Sequence, residues 1–143
     1  MTKDYPIIGM SPGNSYFKDE VVKDLVKKVV EKYGKTAILI ADIPAISTYV
    51  ALGYPENRAR RDKALPQGNA LRNKVQRAME ELNYSKEQVK IIDWEVEIEN
   101  NPQYQEKYLD VSELYNANKS FYDSTNDATK SVLEYSEKEI HNL

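Results

Sequence analysis

The chain has 143 residues, 41% of them apolar and 30% charged, enough for one compact domain with its own core and unlike a fibrous or disordered protein. It contains no cysteine, which excludes a disulfide framework, a thiolate nucleophile and the usual cysteine-bearing zinc sites. No apolar run approaches the roughly 20 residues of a membrane span and no apolar segment follows a basic start, so the expected location is cytoplasmic.

Residues 5–10 predict a first buried strand, with Pro6 confined to its beginning because proline cannot donate to a ladder. Over residues 18–33, Val21, Val22, Leu25, Val26, Val29 and Val30 recur at helical spacing, and Gly34 stands where a C-terminal cap belongs. Residues 36–41 are almost continuously apolar, as in a strand covered on both faces of a parallel sheet. Strand, helix and strand make a right-handed crossover unit.

After Asp42, residues 43–52 predict a short helix with Pro44 in its first turn, closed by Gly53 and Pro55. Residues 56–83 read as mainly helical, with Pro66 and Gly68 interrupting or kinking them. Residues 88–94 predict a third strand, and residues 102–139 one or two further helices. Glu95, Glu97 and Glu99 alternate as on a solvated edge, and no metal site is expected from them. The sum is a three-layer α/β domain with at least three parallel strands.

The net charge of −3 conceals an uneven distribution. Residues 56–77 carry seven Lys/Arg against two Asp/Glu, whereas residues 78–143 carry six against fifteen. Such a basic island attracts a polyanion or simply solvates a helix face; charge alone favours neither.

Gly9-Met10-Ser11-Pro12-Gly13 places a serine between a strand and a helix, where backbone N–H groups and the helix dipole stabilise an oxyanion. Ser11 is therefore the candidate nucleophile. The same residues fit the G-x-S-x-G elbow of α/β-hydrolases, but that chemistry needs a later acid and histidine, and His141 is the single histidine. A small serine esterase depending on His141 is accordingly the lesser alternative. The phosphate-loop and dinucleotide glycine motifs are missing, so no nucleotide cofactor is expected.

Three blocks taken together resemble the cyclodipeptide synthases: Gly9-Met10-Ser11-Pro12-Gly13-Asn14-Ser15-Tyr16-Phe17; Ala41-Asp42-Ile43-Pro44 with Thr48-Tyr49-Val50-Ala51-Leu52-Gly53-Tyr54; and Arg58-Ala59-Arg60-Arg61 through Gly68-Asn69-Ala70-Leu71-Arg72-Asn73. The helical region with Tyr104, Tyr115 and Phe121 also looks like the family's. The resemblance implies a Rossmann-like domain similar to the catalytic domain of class Ic aminoacyl-tRNA synthetases. It implies an enzyme that uses no ATP and joins amino acids from two aminoacyl-tRNAs into a 2,5-diketopiperazine; no cofactor and no metal are expected.

By that resemblance Ser11 accepts the first aminoacyl group, giving an acyl-enzyme, and Asn14 holds that group and puts the chain in the asparagine-bearing subgroup. Gly9, Leu39 and Ala41 line the side-chain pocket, although Leu39 reads equally as core. Arg58, Arg61, Arg72, Lys74 and Arg77 contact tRNA, with Arg60 and Lys63 as weaker contributors. Arg58 with Arg61 and Lys74 with Arg77 have i, i+3 spacing, which puts each pair on one helical face.

The family's later Tyr-x-x-x-Glu-x-Pro segment has no full counterpart. Tyr135 and Glu139 have the spacing without the proline, and aligning Tyr115, Phe121, Val132 and Leu133 with the family's helix puts its catalytic tyrosine past Leu143. The expectation is one domain over residues 1–143, incomplete at its C-terminus, with a homodimer or a complementing chain as partner. A non-catalytic aminoacyl-tRNA-binding module remains the main alternative.

Overall fold

The structure, a computed structural model, describes residues 5–141, with side chains to Lys138. β1 (Ile7–Met10), α1 (Asp19–Tyr33), β2 (Thr36–Ile40) and α2 (Asp42–Ala51) follow one another, then α3 (Glu56–Arg58), a π-helical turn (Ala59–Ala64) and α4 (Leu65–Leu82). β3 (Val89–Ile92), a second π-helical turn (Trp94–Glu99), α5 (Pro102–Ala117) and α6 (Lys119–His141) complete the chain.

The three strands form a parallel sheet in the order β1-β2-β3, with Gly9 opposite Leu39 and Leu39 opposite Ile92. Period-two alternation sends Ile8, Met10, Ile38, Ile40, Val89 and Ile91 to one side, where Val22, Val26 and Val30 of α1 and Leu71, Val75 and Ala78 of α4 meet them. Two crossovers of one hand, the right-handed default for parallel strands, step in the same direction and so bring α1 and α4 to the same side, where the two helices also pack on each other. Lys23 bonds Glu81 and Arg77 bonds Asp19, each at 2.8 Å, across that helix pair. The opposite side of the sheet carries Ile7, 58% exposed, and Gly9, whose missing Cβ would meet no atom within 4 Å. That open strip is where β1 delivers the chain to Ser11.

Local chemistry explains the boundaries. α1 ends at Gly34, whose φ of 83° suits a residue without Cβ and whose N–H returns to the Val30 carbonyl. β1 starts at Ile7 because Pro6 offers only its carbonyl, which accepts from the Ala37 N–H at 3.0 Å and from the buried Thr36 hydroxyl at 3.1 Å.

Residues 56–82 stay helical through Pro66 and Gly68; of the expected interruption or kink there is no break, only a change from π-helical to α-helical turns at Leu65, beside Pro66. In a regular α-helix the Pro66 ring would clash with the carbonyl of residue 62; the wider π-helical turn just before it makes room. Gly68 is buried instead of breaking the helix: a Cβ there would lie 2.7 Å from Asp42 Cβ.

β3 stops at Ile92, short of the expected residue 94. Asp93 accepts from the Val96 N–H at 2.9 Å and Glu97 reaches back to the Asp93 N–H at 2.7 Å, a reciprocal cap that starts a helical turn. Glu95, Glu97 and Glu99 thus ride on that turn. Beyond it, α5 and α6 form two helices, held together by Tyr115 and Tyr122 with ring centroids 4.7 Å apart and by the Tyr115 hydroxyl donating to Asn126 Oδ1 at 2.7 Å.

Candidate active site

Pro12 and Gly13 dictate the turn that presents Ser11. Proline presets φ at the second turn position and glycine, at φ 75°, takes the left-handed third position, so the Asn14 N–H closes back on the Ser11 carbonyl at 3.3 Å. Asn14 Oδ1 then accepts from the Tyr16 N–H at 3.0 Å, which fixes the direction of its carboxamide. The other end, Nδ2, donates to Ser11 Oγ at 3.0 Å. Ser11 and Asn14 are both exposed, and the two residues paired by sequence are in direct contact.

Gly9 and Leu39 are register partners, and the Ala41 N–H donates to the Met10 carbonyl at 3.4 Å, so Gly9, Leu39 and Ala41 gather at the carboxyl ends of β1 and β2, next to Ser11. That rim is where open α/β sheets receive ligands. Leu39 and Ala41 are half-buried and Gly9 is exposed, leaving the lining accessible. The His141 side chain, on which the esterase alternative depends, lies outside the described residues.

The basic residues have partners of their own. Arg72 Nη2 lies 2.5 Å from Asp42 Oδ2, with its side chain 23% exposed and that of Asp42 3%. Lys74 Nζ donates to the Phe17 carbonyl at 2.8 Å, so Lys74 and Arg77 both turn to the start of α1. Arg61 pairs with Asp62, whose carboxyl it holds below the usual range by a hydrogen bond, and Arg60 pairs with Glu95 at 2.6 Å. Among the described residues no carboxylate lies within ion-pairing distance of Arg58. The five head groups are therefore engaged in different places: Arg72 faces α2, Lys74 and Arg77 face the start of α1, Arg61 turns to Asp62, and Arg58 borders a cavity.

That cavity, about 860 Å³, opens between the corner after α2 and α6, with Leu52, Tyr54, Arg58 and Lys63 on one side and Lys130 and Leu133 on the other. Ser11 is not in its lining. Three residues near the serine turn stand within the motif blocks without a role assigned to them there. Asp42 is a buried carboxylate beside Gly68, and Gln67 lies against Gly13 while accepting from the Tyr49 hydroxyl at 2.7 Å. No periodicity marks these contacts; only the sharp Pro12-Gly13 turn hints that something must pack beneath it.

The sequence profile of the cyclodipeptide synthase family matches residues 2–142. This chain belongs to the cyclodipeptide synthases. A cyclo(L-tyrosyl-L-tyrosyl) synthase of Mycobacterium tuberculosis is 32% identical to it over 80 residues, 56% of this chain and 27% of that protein.

Among solved cyclodipeptide synthases, one from Bacillus thermoamylovorans superposes with a TM-score of 0.82 at 22% identity, covering 97% of this chain and 58% of its own. A Mycobacterium tuberculosis structure that relates cyclodipeptide synthetases to type I tRNA synthetases gives 0.77 at 24% identity, covering 94% and 58%. The fold is thus the cyclodipeptide synthase fold, an α/β architecture with a parallel sheet, and the chain spans about three fifths of the length of these solved relatives. No helix among the described residues is long and apolar enough to cross a membrane.

Proposed function

We propose that this cyclodipeptide synthase chain takes an aminoacyl group from aminoacyl-tRNA onto Ser11 on the way to a 2,5-diketopiperazine. The observation that carries this reading is the contact of Asn14 Nδ2 with an exposed Ser11 Oγ on the rim beside Gly9, Leu39 and Ala41. In the transfer, Oγ bonds to the ester carbonyl carbon, the bond from that carbon to the ribose oxygen breaks, and the serine proton ends on the departing ribose hydroxyl. An ester is already activated, so the ribose oxygen can take the proton without a histidine.

The amine of a second aminoacyl-tRNA then attacks the acyl-serine, and closing the ring releases the second tRNA; two aminoacyl-tRNAs are consumed per product. Gly9, Leu39 and Ala41 hold the first side chain, and the small size of Gly9 and Ala41 favours a large apolar one. Arg58, Arg61, Arg72, Lys74 and Arg77 serve the tRNA backbone, a contact that weakens with salt. The reaction runs in the cytoplasm, where charged tRNA is made.

The test is incubation with tyrosyl-, phenylalanyl- and leucyl-tRNA in separate reactions, followed by intact-mass measurement. An aminoacyl adduct in the wild type that disappears in Ser11→Ala is expected, and an adduct that survives this change overturns the assignment. Salt-sensitive tRNA binding with no adduct in any reaction identifies a tRNA-binding module instead.

A further inference from the structure

The turn that carries Ser11 is not held by its own hydrogen bonds alone. The three carboxamide atoms Oε1, Cδ and Nε2 of Gln67 lie 2.9, 3.0 and 3.1 Å from the point where a Cβ on Gly13 would be, so the flat amide covers the Gly13 Cα. Gln67 Oε1 accepts the Tyr49 hydroxyl at 2.7 Å, and the Tyr49 ring is itself set edge-on to Tyr54 with centroids 5.8 Å apart. Gln67 stands in the first turn of α4 and Tyr49 in α2, so two helices converge on one glycine of the turn.

A free glutamine side chain has three rotatable bonds and would not stay stacked on an exposed turn unaided, because ordering it costs rotamer entropy. The hydroxyl of Tyr49, on a ring with two rotatable bonds and partly buried, supplies the fixed point.

We propose that Tyr49 and Gln67 are positioning residues for the nucleophile: they brace the 11–14 turn through Gly13, and so set where Ser11 Oγ stands relative to Asn14 and the pocket rim. The catalytic part of this inference rests on Ser11 being the acyl acceptor; the brace itself does not. Neither residue touches the reacting atoms. Their effect is on how often the hydroxyl is in a reactive place, and a displacement of about 1 Å at a reacting group costs up to about a hundredfold in rate.

Two readouts test it, on Tyr49→Phe, Gln67→Met, Gln67→Glu and the double variant that combines Tyr49→Phe with Gln67→Met. Amide hydrogen exchange follows the Asn14 N–H, which bonds the Ser11 carbonyl, against the Ile38 N–H of the central strand as an internal control for overall folding. Tyr49→Phe and Gln67→Met should each raise Asn14 exchange about fivefold, the loss of one modest hydrogen bond, with Ile38 unchanged. The double variant should be no worse than either single change, since both remove the same contact. Gln67→Glu, which keeps a planar acceptor of the same length, should retain the protection.

Single-turnover acylation with the aminoacyl-tRNA that loads the wild type should slow about tenfold in the first two variants, with the half-saturating tRNA concentration unmoved. Unchanged Asn14 exchange, or additive effects in the double variant, would overturn the brace. Faster exchange together with full-speed acylation would overturn its role in positioning the nucleophile. Faster exchange with no adduct even in the wild type would leave the brace standing and remove Ser11 as acyl acceptor, so the two failures are told apart.

Discussion

Asp42, Gly68 and Arg72 form a buried polar knot between α2 and α4. A carboxylate 3% exposed is tolerated because Arg72 neutralises Oδ2 while Oδ1 accepts the Ile43 N–H at 2.8 Å, and Gly68 lets α4 come close enough for the pair to form. Arg72→Met strands the buried charge and should cost about 3–5 kcal/mol, whereas Asp42→Asn with Arg72→Met should cost clearly less. Urea unfolding of both variants checks this, and equal losses would count against it. Gly68→Ala should also destabilise, by about 1–3 kcal/mol, because the neighbouring atom is the Asp42 Cβ and not a flexible tip. Arg72 is therefore a poor place to probe tRNA contact, since its loss disturbs α2 and α4 together. Arg58, exposed and without a carboxylate partner among the described residues, is the clean probe: Arg58→Ala should weaken tRNA binding in low salt and leave the urea midpoint unchanged.

At the level of elements, the turn after β3 has a built-in acid sensitivity. Lys90 Nζ meets Glu97 Oε1 at 2.5 Å while the Asp93 N–H donates to Oε2, and these bonds, the lysine's first, hold the Glu97 carboxyl below its ordinary range. A carboxyl with a lowered folded pKa adds stability that is present above its unfolded value near 4.5 and disappears as pH falls through the folded one. The wild type should therefore lose stability on going from pH 6 to pH 3 more steeply than Glu97→Gln; parallel curves would remove Glu97 as a contributor. The same turn marks a limit of pattern reading. Trp94, Val96 and Ile98 alternate with Glu95, Glu97 and Glu99 like a strand, and only the reciprocal bonds of Asp93 and Glu97 decide for a helical turn. Helix α1 was legible because valine spacing and Gly34 agree, and the parallel strands because residues 37–41 are apolar without a break. Continuity through Pro66 was not, since it depends on a π-helical turn whose Ala59 and Ala64 are fully buried by packing that no local preference encodes. In the site, Pro12, Gly13 and Asn14 announce their turn, while the Tyr49–Gln67 contact joins residues 18 positions apart on two helices and follows no repeat.

For the molecule as a whole, burial divides the chain unevenly. The sheet with α1 and α4 contains the continuous core from Met10 to Val89, whereas α5 buries none of its residues and touches chiefly α6 and the turn before it. Tyr108, Leu109, Val111, Val132 and Tyr135 are more than half exposed on the hairpin. Few buried apolar contacts mean a low free energy of local opening, so the α5–α6 hairpin should open while the sheet stays folded. Trp94, the single tryptophan, stands at the junction with its ring 6.2 Å from Tyr104 and edge-on to it, and so reports the hairpin's departure. In urea, the Trp94 fluorescence transition should precede the far-ultraviolet circular dichroism transition of the whole chain, and the amides of α5 should exchange faster than those of β2 by orders of magnitude. Coincident transitions with uniform exchange would mean that the hairpin folds as one unit with the sheet despite its exposure. A substitution at the junction sharpens the distinction: Tyr104→Ala should move the fluorescence transition earlier and leave the later transition of the sheet in place.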